Sequence, residues 1–216
     1  MGKYRIQWYD TLDSTNSEAV RRLEELDNMS VIAARSQTAG RGKDTNKWLS
    51  SPGENLTFTV VLKYEDFPAV CQMAISAATA AAVVNFLSEQ GIDPWVKWPN
   101  DIYVGGEKIC GILIEHRMHG DCLTSSIIGV GLNLNQTEFP PELVNPVSVA
   151  VLTGKRLDTD ASLGRFCEIF TEKIRSAYRR LPHLRDVISG AFTCEDGASG
   201  DENLRACFAQ CVNVLL

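Results

Sequence analysis

A polar segment with two glycines and several cations lies between residues 36 and 51. Its centre reads Gly40-Arg41-Gly42-Lys43, and Lys47 and Trp48 follow it. Glycines allow main-chain N–H groups to turn toward an anion, and arginine and lysine bring positive charge to phosphate or carboxylate. The segment lacks the Gly-Lys-Ser/Thr ending of a Walker loop. It indicates an anion site, with a solvated glycine-containing loop as the alternative.

A second group of chemically useful residues, Lys97-Trp98-Pro99-Asn100-Asp101, stands at the predicted end of a strand. A cation, a large ring, a rigid proline turn and two polar side chains at such a position are typical of a ligand site. The alternative is an ordinary Pro-Asn-Asp turn with a tryptophan in the core. Lys108 opens the next apolar strand, which contains Gly111. A solvated strand end explains this lysine equally well.

The sequence Gly129-Val130-Gly131-Leu132-Asn133 places two glycines within a predicted strand. Glycine weakens a strand unless something packs closely there, so the pattern indicates a ligand or another chain segment, with a bulge as the alternative. The histidines His116, His119 and His183 show no spacing typical of a metal site or catalytic triad, and no Gly-x-Ser-x-Gly sequence is present. Hydrolase and zinc chemistry therefore have no support.

Five ordered motifs resemble those of the biotin protein ligases over about residues 5 to 153. They are Ser14-Thr15-Asn16, Gln37 to Lys43 with Trp48, Lys97 to Asp101, Lys108 with Gly111 to Glu115, and Gly129 to Asn133. The resemblance implies an α+β fold with a mixed, largely antiparallel β-sheet and helices packed on one side, similar to class II aminoacyl-tRNA synthetases. It also implies that biotin and MgATP give biotinyl-5′-AMP, which a lysine of a biotin carboxyl carrier protein then attacks.

The resemblance also assigns a biotin site. Biotin needs an apolar slot for its rings and chain and a few hydrogen bonds for its ureido group, which Ser14, Thr15 and Gln37 could supply. Trp48 could form a wall of the slot. The predicted biotin-binding residues are Ser14, Thr15, Asn16, Gln37, Gly40, Arg41, Gly42, Trp48, Lys108 and Gly111.

Adenylate formation requires cations fixed in advance, because a carboxylate attacks a phosphate and charge develops on the phosphoryl oxygens. The predicted catalytic residues are Arg41, Lys43, Lys97 and Lys108. By analogy with the family, Arg41 and Lys108 hold the reacting carboxyl and phosphate, and two asparagines contact the nucleotide or its Mg²⁺. The predicted ATP-binding residues are Arg41, Lys43, Trp48, Lys97, Asn100 and Asn133, and no metal site built by the protein alone is expected.

The glycine-containing loop departs from the family pattern, because it continues Asp44-Thr45-Asn46-Lys47 where further basic residues and a glycine are usual. This departure leaves open a catalytically weak biotin-binding module. A lipoate or octanoate ligase or transferase on the same scaffold is a second alternative, although the motifs at 40–42 and 97–101 favour biotin. A DNA-binding regulator is disfavoured, since the net charge is −6.

Hydrophobic periodicity predicts the elements that must position these motifs. Strands are expected at residues 4–9, 31–34, 56–62, 94–98, 108–116 and 123–131, and helices from residue 15 and at 68–87 and 162–181. Thr15 and Glu18 form a capping-box pattern at the first helix. Strands in adjacent hairpins with segregated helices indicate an α+β fold.

Composition bounds the remaining expectations. The 216 residues, 44% of them hydrophobic, predict a catalytic domain over residues 1–185 and a short acidic appendage over 186–216 without a complete β-barrel domain. Seven cysteines without a C-x-x-C pair predict reduced thiols. No signal peptide or membrane span is expected, so the predicted location is cytoplasmic. Biotin, ATP and a carrier protein domain are the expected partners, nucleic acid and membrane are not, and a homodimer is left open.

Overall fold

The structure is a computed structural model and describes residues 4–193 and 200–216. In these ranges seven strands form one sheet: β1 (Arg5–Leu12), β2 (Ser30–Gln37), β3 (Leu56–Pro68), β4 (Trp95–Lys97), β5 (Asp101–Val104), β6 (Glu107–His119) and β7 (Cys122–Leu132). The strand order is β1-β2-β3-β7-β6-β5-β4. The β1–β2 pair is parallel and the other neighbours are antiparallel, which confirms the predicted mixed, largely antiparallel sheet.

The long helices pack on one face of this sheet, as predicted, but the short first helix lies on the other face, which the prediction did not include. The helices are α1 (Thr15–Arg21), α2 (Gln72–Glu89), α3 (Val149–Thr153), α4 (Thr159–Arg179), α5 (Leu181–Thr193) and α6 (Gly200–Leu215), with a short 3-10 turn at Ala69–Cys71. Side chains alternate along a strand, so Val31 and Ala33 of β2 join the main core with α2, α4, α5 and α6. Ile32 faces the opposite side, where it packs with Ala19 of α1. The long helices therefore cover one face, and the short α1 lies on the other.

The main core is built on the small residues of α2. This helix buries eight consecutive positions, Ala77 to Val84, and small side chains allow a helix to approach its neighbours closely. On the sheet side, the ring of Phe58 in β3 lies 5.0 Å from that of Phe166 in α4. The segment Ala69–Glu89 is apolar and long enough to cross a membrane. However, 72% of its most apolar 18-residue stretch is buried inside the protein. Such burial is typical of a core helix.

Two local expectations were wrong. Residues 101–104, where no strand was expected, form the additional strand β5, whose pairing with β6 satisfies their main-chain groups. The first helix is capped by Ser14, whose Oγ accepts a hydrogen bond from the Ser17 N–H, and not through Thr15. Thr15 instead turns its hydroxyl toward β3, where it lies 2.8 Å from that of Thr59. The helix cap therefore lies one residue before the position that the capping-box pattern predicts.

The described part of residues 186–216 is helical. Phe208 and Cys211 of α6 are buried in the main core, and the Phe208 ring lies 4.8 Å from that of Trp98. Lys173 of α4, 7% exposed, donates a hydrogen bond of 2.7 Å to the Leu215 carbonyl near the end of α6. The boundary placed at residue 185 falls inside α5, and the division into domain and appendage stays a prediction. Cys194 lies outside the described residues, and the six described cysteines are free thiols.

Candidate active site

A cavity of about 430 Å³ opens on the face of the sheet that carries α1. Its volume lies within the range of small-molecule sites. It brings together twelve of the predicted residues: Ser14, Thr15, Asn16, Gln37, Arg41, Gly42, Lys43, Trp48, Asn100, Lys108, Gly111 and Asn133. The motifs that are far apart in the sequence therefore meet in one place.

Two predicted residues do not line this cavity. The Lys97 ammonium lies 4.8 Å from the ring centre of Tyr103, and it is Tyr103 that lines the cavity. Gly40 instead holds the main chain of Trp48, because its carbonyl accepts a hydrogen bond of 3.0 Å from the main-chain N–H of Trp48. A Cβ at residue 40 would stand 2.3 Å from the Trp48 carbonyl oxygen, so glycine is required there.

The floor of the cavity is a pair of glycines covered by an indole ring. Gly111 of β6 and Gly131 of β7 are direct neighbours in the sheet. The Trp48 ring lies on both, because a Cβ at residue 131 would stand 2.2 Å from its Cε2 and a Cβ at residue 111 would stand 2.9 Å from its Cζ3. The close approach that the glycines predicted is thus made by another chain segment, Trp48. The indole Nε1 is buried and has no hydrogen-bond partner in the described residues.

Asn16 occupies a second glycine-made gap. A Cβ on Gly129 of β7 would stand 2.3 Å from the Asn16 Oδ1, so the amide lies directly on the strand. The Thr59 hydroxyl lies 2.6 Å from that oxygen, and the Asn16 Nδ2 donates to the Leu113 carbonyl at 3.3 Å. Since Asn16 is 3% exposed, these hydrogen bonds hold a buried amide that would otherwise be costly.

The start of α1 is tied to the neighbouring strand ends. The Gln37 Oε1 accepts a hydrogen bond of 2.8 Å from the Thr15 N–H. Asp13 accepts one of 2.7 Å from the Ser14 N–H and two from Arg21. The hydrogen bonds from Arg21 and Ser14 hold the pKa of the Asp13 carboxyl well below its usual range. Ser14 and Thr15 thus reach the cavity at fixed positions.

Two of the four cations that line the cavity are paired with carboxylates. The Lys108 ammonium lies 2.7 Å from the Asp101 Oδ1 and 5.8 Å from the Trp48 ring centre. The Arg41 guanidinium makes two hydrogen bonds, of 2.9 and 3.0 Å, to Glu115 of β6. Asp101 and Glu115 therefore set the orientations of Lys108 and Arg41 at the cavity. Both carboxylates stand in the predicted motifs, but neither was assigned a role at the site.

The remaining wall comes from a segment that the sequence motifs did not include. Leu143, Val144 and Pro146 line the cavity, and Val144 is 82% exposed. The Asn133 Nδ2 donates a hydrogen bond of 3.0 Å to the Val147 carbonyl and so fastens this segment beside Lys108. An apolar residue so exposed at the mouth of a cavity is a signal for ligand contact, but it is visible only once the fold is known.

Comparison with known proteins shows which proteins this chain resembles. The biotin/lipoate A/B protein ligase family matches residues 8–133. The chain is 33% identical to the Bacillus subtilis bifunctional ligase/repressor BirA over 184 residues, which is 81% of this chain and 55% of that protein. It is 31% identical to the Paracoccus denitrificans biotin–[acetyl-CoA-carboxylase] ligase over 164 residues, 73% of this chain and 68% of that protein.

A solved structure of the Aquifex aeolicus biotin protein ligase, in complex with biotin and ATP, is similar with a TM-score of 0.61 and 28% identity. The match covers 78% of this chain and 69% of that one. This chain spans little more than half the length of the Bacillus relative. The family match covers more than half of the present sequence and includes the cavity from Ser14 to Asn133. The chain belongs to the biotin/lipoate A/B protein ligase family.

Proposed function

We propose that this protein uses ATP to activate biotin as biotinyl-5′-AMP and then transfers biotin to a lysine of a carrier protein. One observation carries the proposal: the same cavity contains a slot formed by an indole ring and cations held in fixed positions. Trp48 and the glycine floor form the slot, and Lys108 stands 5.8 Å from the same indole. The relatives include ligases of this activity and a structure with both biotin and ATP bound.

The slot supplies what the two ends of biotin require. The indole of Trp48 offers a flat apolar wall for the fused rings. Ser14, Thr15 and Gln37 gather polar groups at the start of α1, and these can supply the donors and acceptors that a ureido group needs. The chain carboxylate would then extend toward Lys108. This direction places the reacting carboxyl among the cations.

The reaction joins the biotin carboxylate to the α-phosphate and releases pyrophosphate, so two anions must be brought together. Lys108 and Lys43 line the cavity and can neutralise the phosphoryl oxygens as charge develops. Mg²⁺ would enter with ATP, since this ion binds phosphates together with one or two protein oxygens. Asp101 and the amides of Asn100 and Asn133 bring oxygens to that wall.

In the second step the carrier lysine attacks the adenylate carbonyl and AMP leaves, so the protein needs no covalent nucleophile of its own. Cys110, on β6 beneath the cavity, fits this view because complete burial raises the pKa of its thiol far above the usual range. A thiol held protonated is a poor nucleophile. Catalysis would then rest on positioning and charge.

The first step is tested by biotin-dependent exchange of labelled pyrophosphate into ATP. We expect exchange with biotin at a rate well above that with lipoate or octanoate supplied in its place. Exchange with lipoate or octanoate alone would assign the cavity to the other activity of the family. Biotin binding without exchange would make the protein a biotin-binding module.

The loop of residues 38–48 is expected to retain the adenylate less well than a more basic loop. It is held by a hydrogen bond of 2.9 Å from the Gly42 N–H to the Asn46 carbonyl, and Asp44 adopts a φ of 59°. Asparagine tolerates this left-handed conformation, so Asp44→Asn removes the negative charge without strain. We expect Asp44→Asn to slow biotinyl-5′-AMP release and Lys43→Gly to speed it, each by only a few-fold because an exposed charge contributes about 1 kcal/mol or less.

Rapid-quench and filter-retention measurements of the bound adenylate check this prediction. Thr45→Ser, which changes no charge in the same loop, is the control. Equal release rates in wild type, Asp44→Asn and Lys43→Gly would show that the loop does not hold the intermediate by charge.

A further inference from the structure

Glu115 connects the loop that covers the cavity to the sheet beneath it. It lies on β6, 74 positions after Arg41 in the sequence, and accepts two hydrogen bonds from that guanidinium, of 2.9 and 3.0 Å. Its side chain is 32% exposed and that of Arg41 is 43% exposed. A two-point contact of this kind fixes the direction of the guanidinium plane as well as its distance.

The Glu115 side chain is itself fixed by a hydrogen bond from Asn16. Its Oε2 accepts a hydrogen bond of 3.0 Å from the Asn16 Nδ2, and the Asn16 Oδ1 lies 2.6 Å from the Thr59 hydroxyl. Gly129 leaves room for this amide on the surface of the strand. The path from Arg41 through Glu115 and Asn16 thus ends at Thr59 on β3, a strand inside the sheet. A carboxylate anchored in this way can hold a loop arginine in place without a ligand.

Arg41 keeps further hydrogen-bonding capacity toward the cavity. A guanidinium has five N–H donors, and Glu115 engages two of them. Arg41 also lines the cavity. The donors that remain are available to an anionic group that enters.

We propose that Glu115 is a positioning residue, which fixes the Arg41 guanidinium at the cavity so that its other N–H groups meet an anionic group of the nucleotide or adenylate. This inference rests on the proposed function, because it names the residue that orders one of the cations of that reaction. Glu115 does not touch the substrate. Its contribution therefore depends on Arg41.

The first test is a double-mutant cycle in biotin-dependent pyrophosphate exchange. Glu115→Gln keeps the side-chain length and an oxygen for Asn16 but removes the charge that holds Arg41. We expect it to lower kcat/KM for ATP about tenfold. In the Arg41→Ala background the same change should alter kcat/KM less than twofold, because the group on which Glu115 acts is gone.

The second test needs no activity. Trypsin cleaves after Lys43 and Lys47, which lie in the loop that Arg41 anchors, so the initial cleavage rate there reports loop opening. We expect Glu115→Gln and Arg41→Ala to raise this rate at least about fivefold, and the double variant to raise it no further. The matched control is Glu89→Gln, which breaks the comparable two-point pair between Glu89 and Arg165 outside the cavity.

The results separate the two hypotheses. Absence of exchange in wild type would contradict the proposed function, and the trypsin rates would still decide the role of Glu115. Losses in kcat/KM that multiply in the double variant would show that Glu115 acts independently of Arg41 and would overturn the inference. Loop cleavage in Glu115→Gln at the rate of wild type and Glu89→Gln would overturn it as well.

Discussion

Replacement of Lys108 by alanine is expected to lower biotin-dependent pyrophosphate exchange by about 100-fold or more, as the loss of a preorganised charge donor does. The ammonium is placed by Asp101 at 2.7 Å and stands beside the Trp48 ring, where the carboxylate and phosphate are expected to meet. Its main chain is fixed as well, because the Lys108 N–H donates to the Asn145 carbonyl at 2.7 Å. The charge is therefore in position before the substrates bind.

Two other lysine variants show whether the loss of exchange is specific to Lys108. Lys155→Ala removes an exposed lysine outside the cavity and should leave exchange unchanged. Lys97→Ala is expected to cost less than Lys108→Ala, because the Lys97 ammonium lies against Tyr103 and outside the cavity lining. Exchange by Lys108→Ala at a rate near that of wild type would rule out the proposed role of this residue.

Replacement of Gly131 by alanine is expected to weaken biotin binding at least about fivefold. The new Cβ would stand 2.2 Å from the Trp48 ring, so the indole must leave the floor of the slot. Overpacking of this kind typically costs about 1–3 kcal/mol, which is roughly 5- to 150-fold in an equilibrium constant. Gly111→Val should act in the same direction, because the first atom that its side chain meets is also in Trp48.

Calorimetric titration with biotin and a thermal melt of each variant check this prediction. Gly164→Ala in α4 is the matched control, since nothing lies within 4 Å of the Cβ that it would add. Unchanged biotin affinity in a folded Gly131→Ala protein would contradict the assignment of the glycine floor and Trp48 to the biotin slot.

The sequence predicted which residues gather at the cavity better than how they are paired. Glycines in strands signal a close approach, and Gly111 and Gly131 do carry one. The pairing of Arg41 with Glu115 is a contact across 74 positions, and a local pattern cannot reveal its partner. Lys97 shows the same limit, because a cation in the right motif can lie against a neighbouring side chain, here Tyr103, and outside the cavity lining.

The errors in the fold have similar local causes. Pro99-Asn100 and Gly105-Gly106, which favour turns, lie directly beside β5, so this strand of four residues has no distinct sequence signal. In α6 the buried residues Phe208, Cys211 and Leu215 recur at helical spacing, a signal that was present within the acidic segment. Its packing on α2 and Trp98 depends on tertiary contacts that periodicity alone does not specify.

The central claim is tested most directly by transfer of labelled biotin to a biotin carboxyl carrier domain. The protein is incubated with that domain, labelled biotin and MgATP, and protein-bound label is counted after denaturation. We expect label on the carrier lysine that depends on ATP and is lost in a carrier with that lysine replaced by arginine. Label that appears without ATP, or no transfer by a protein that binds biotin and ATP, would contradict the proposed activity.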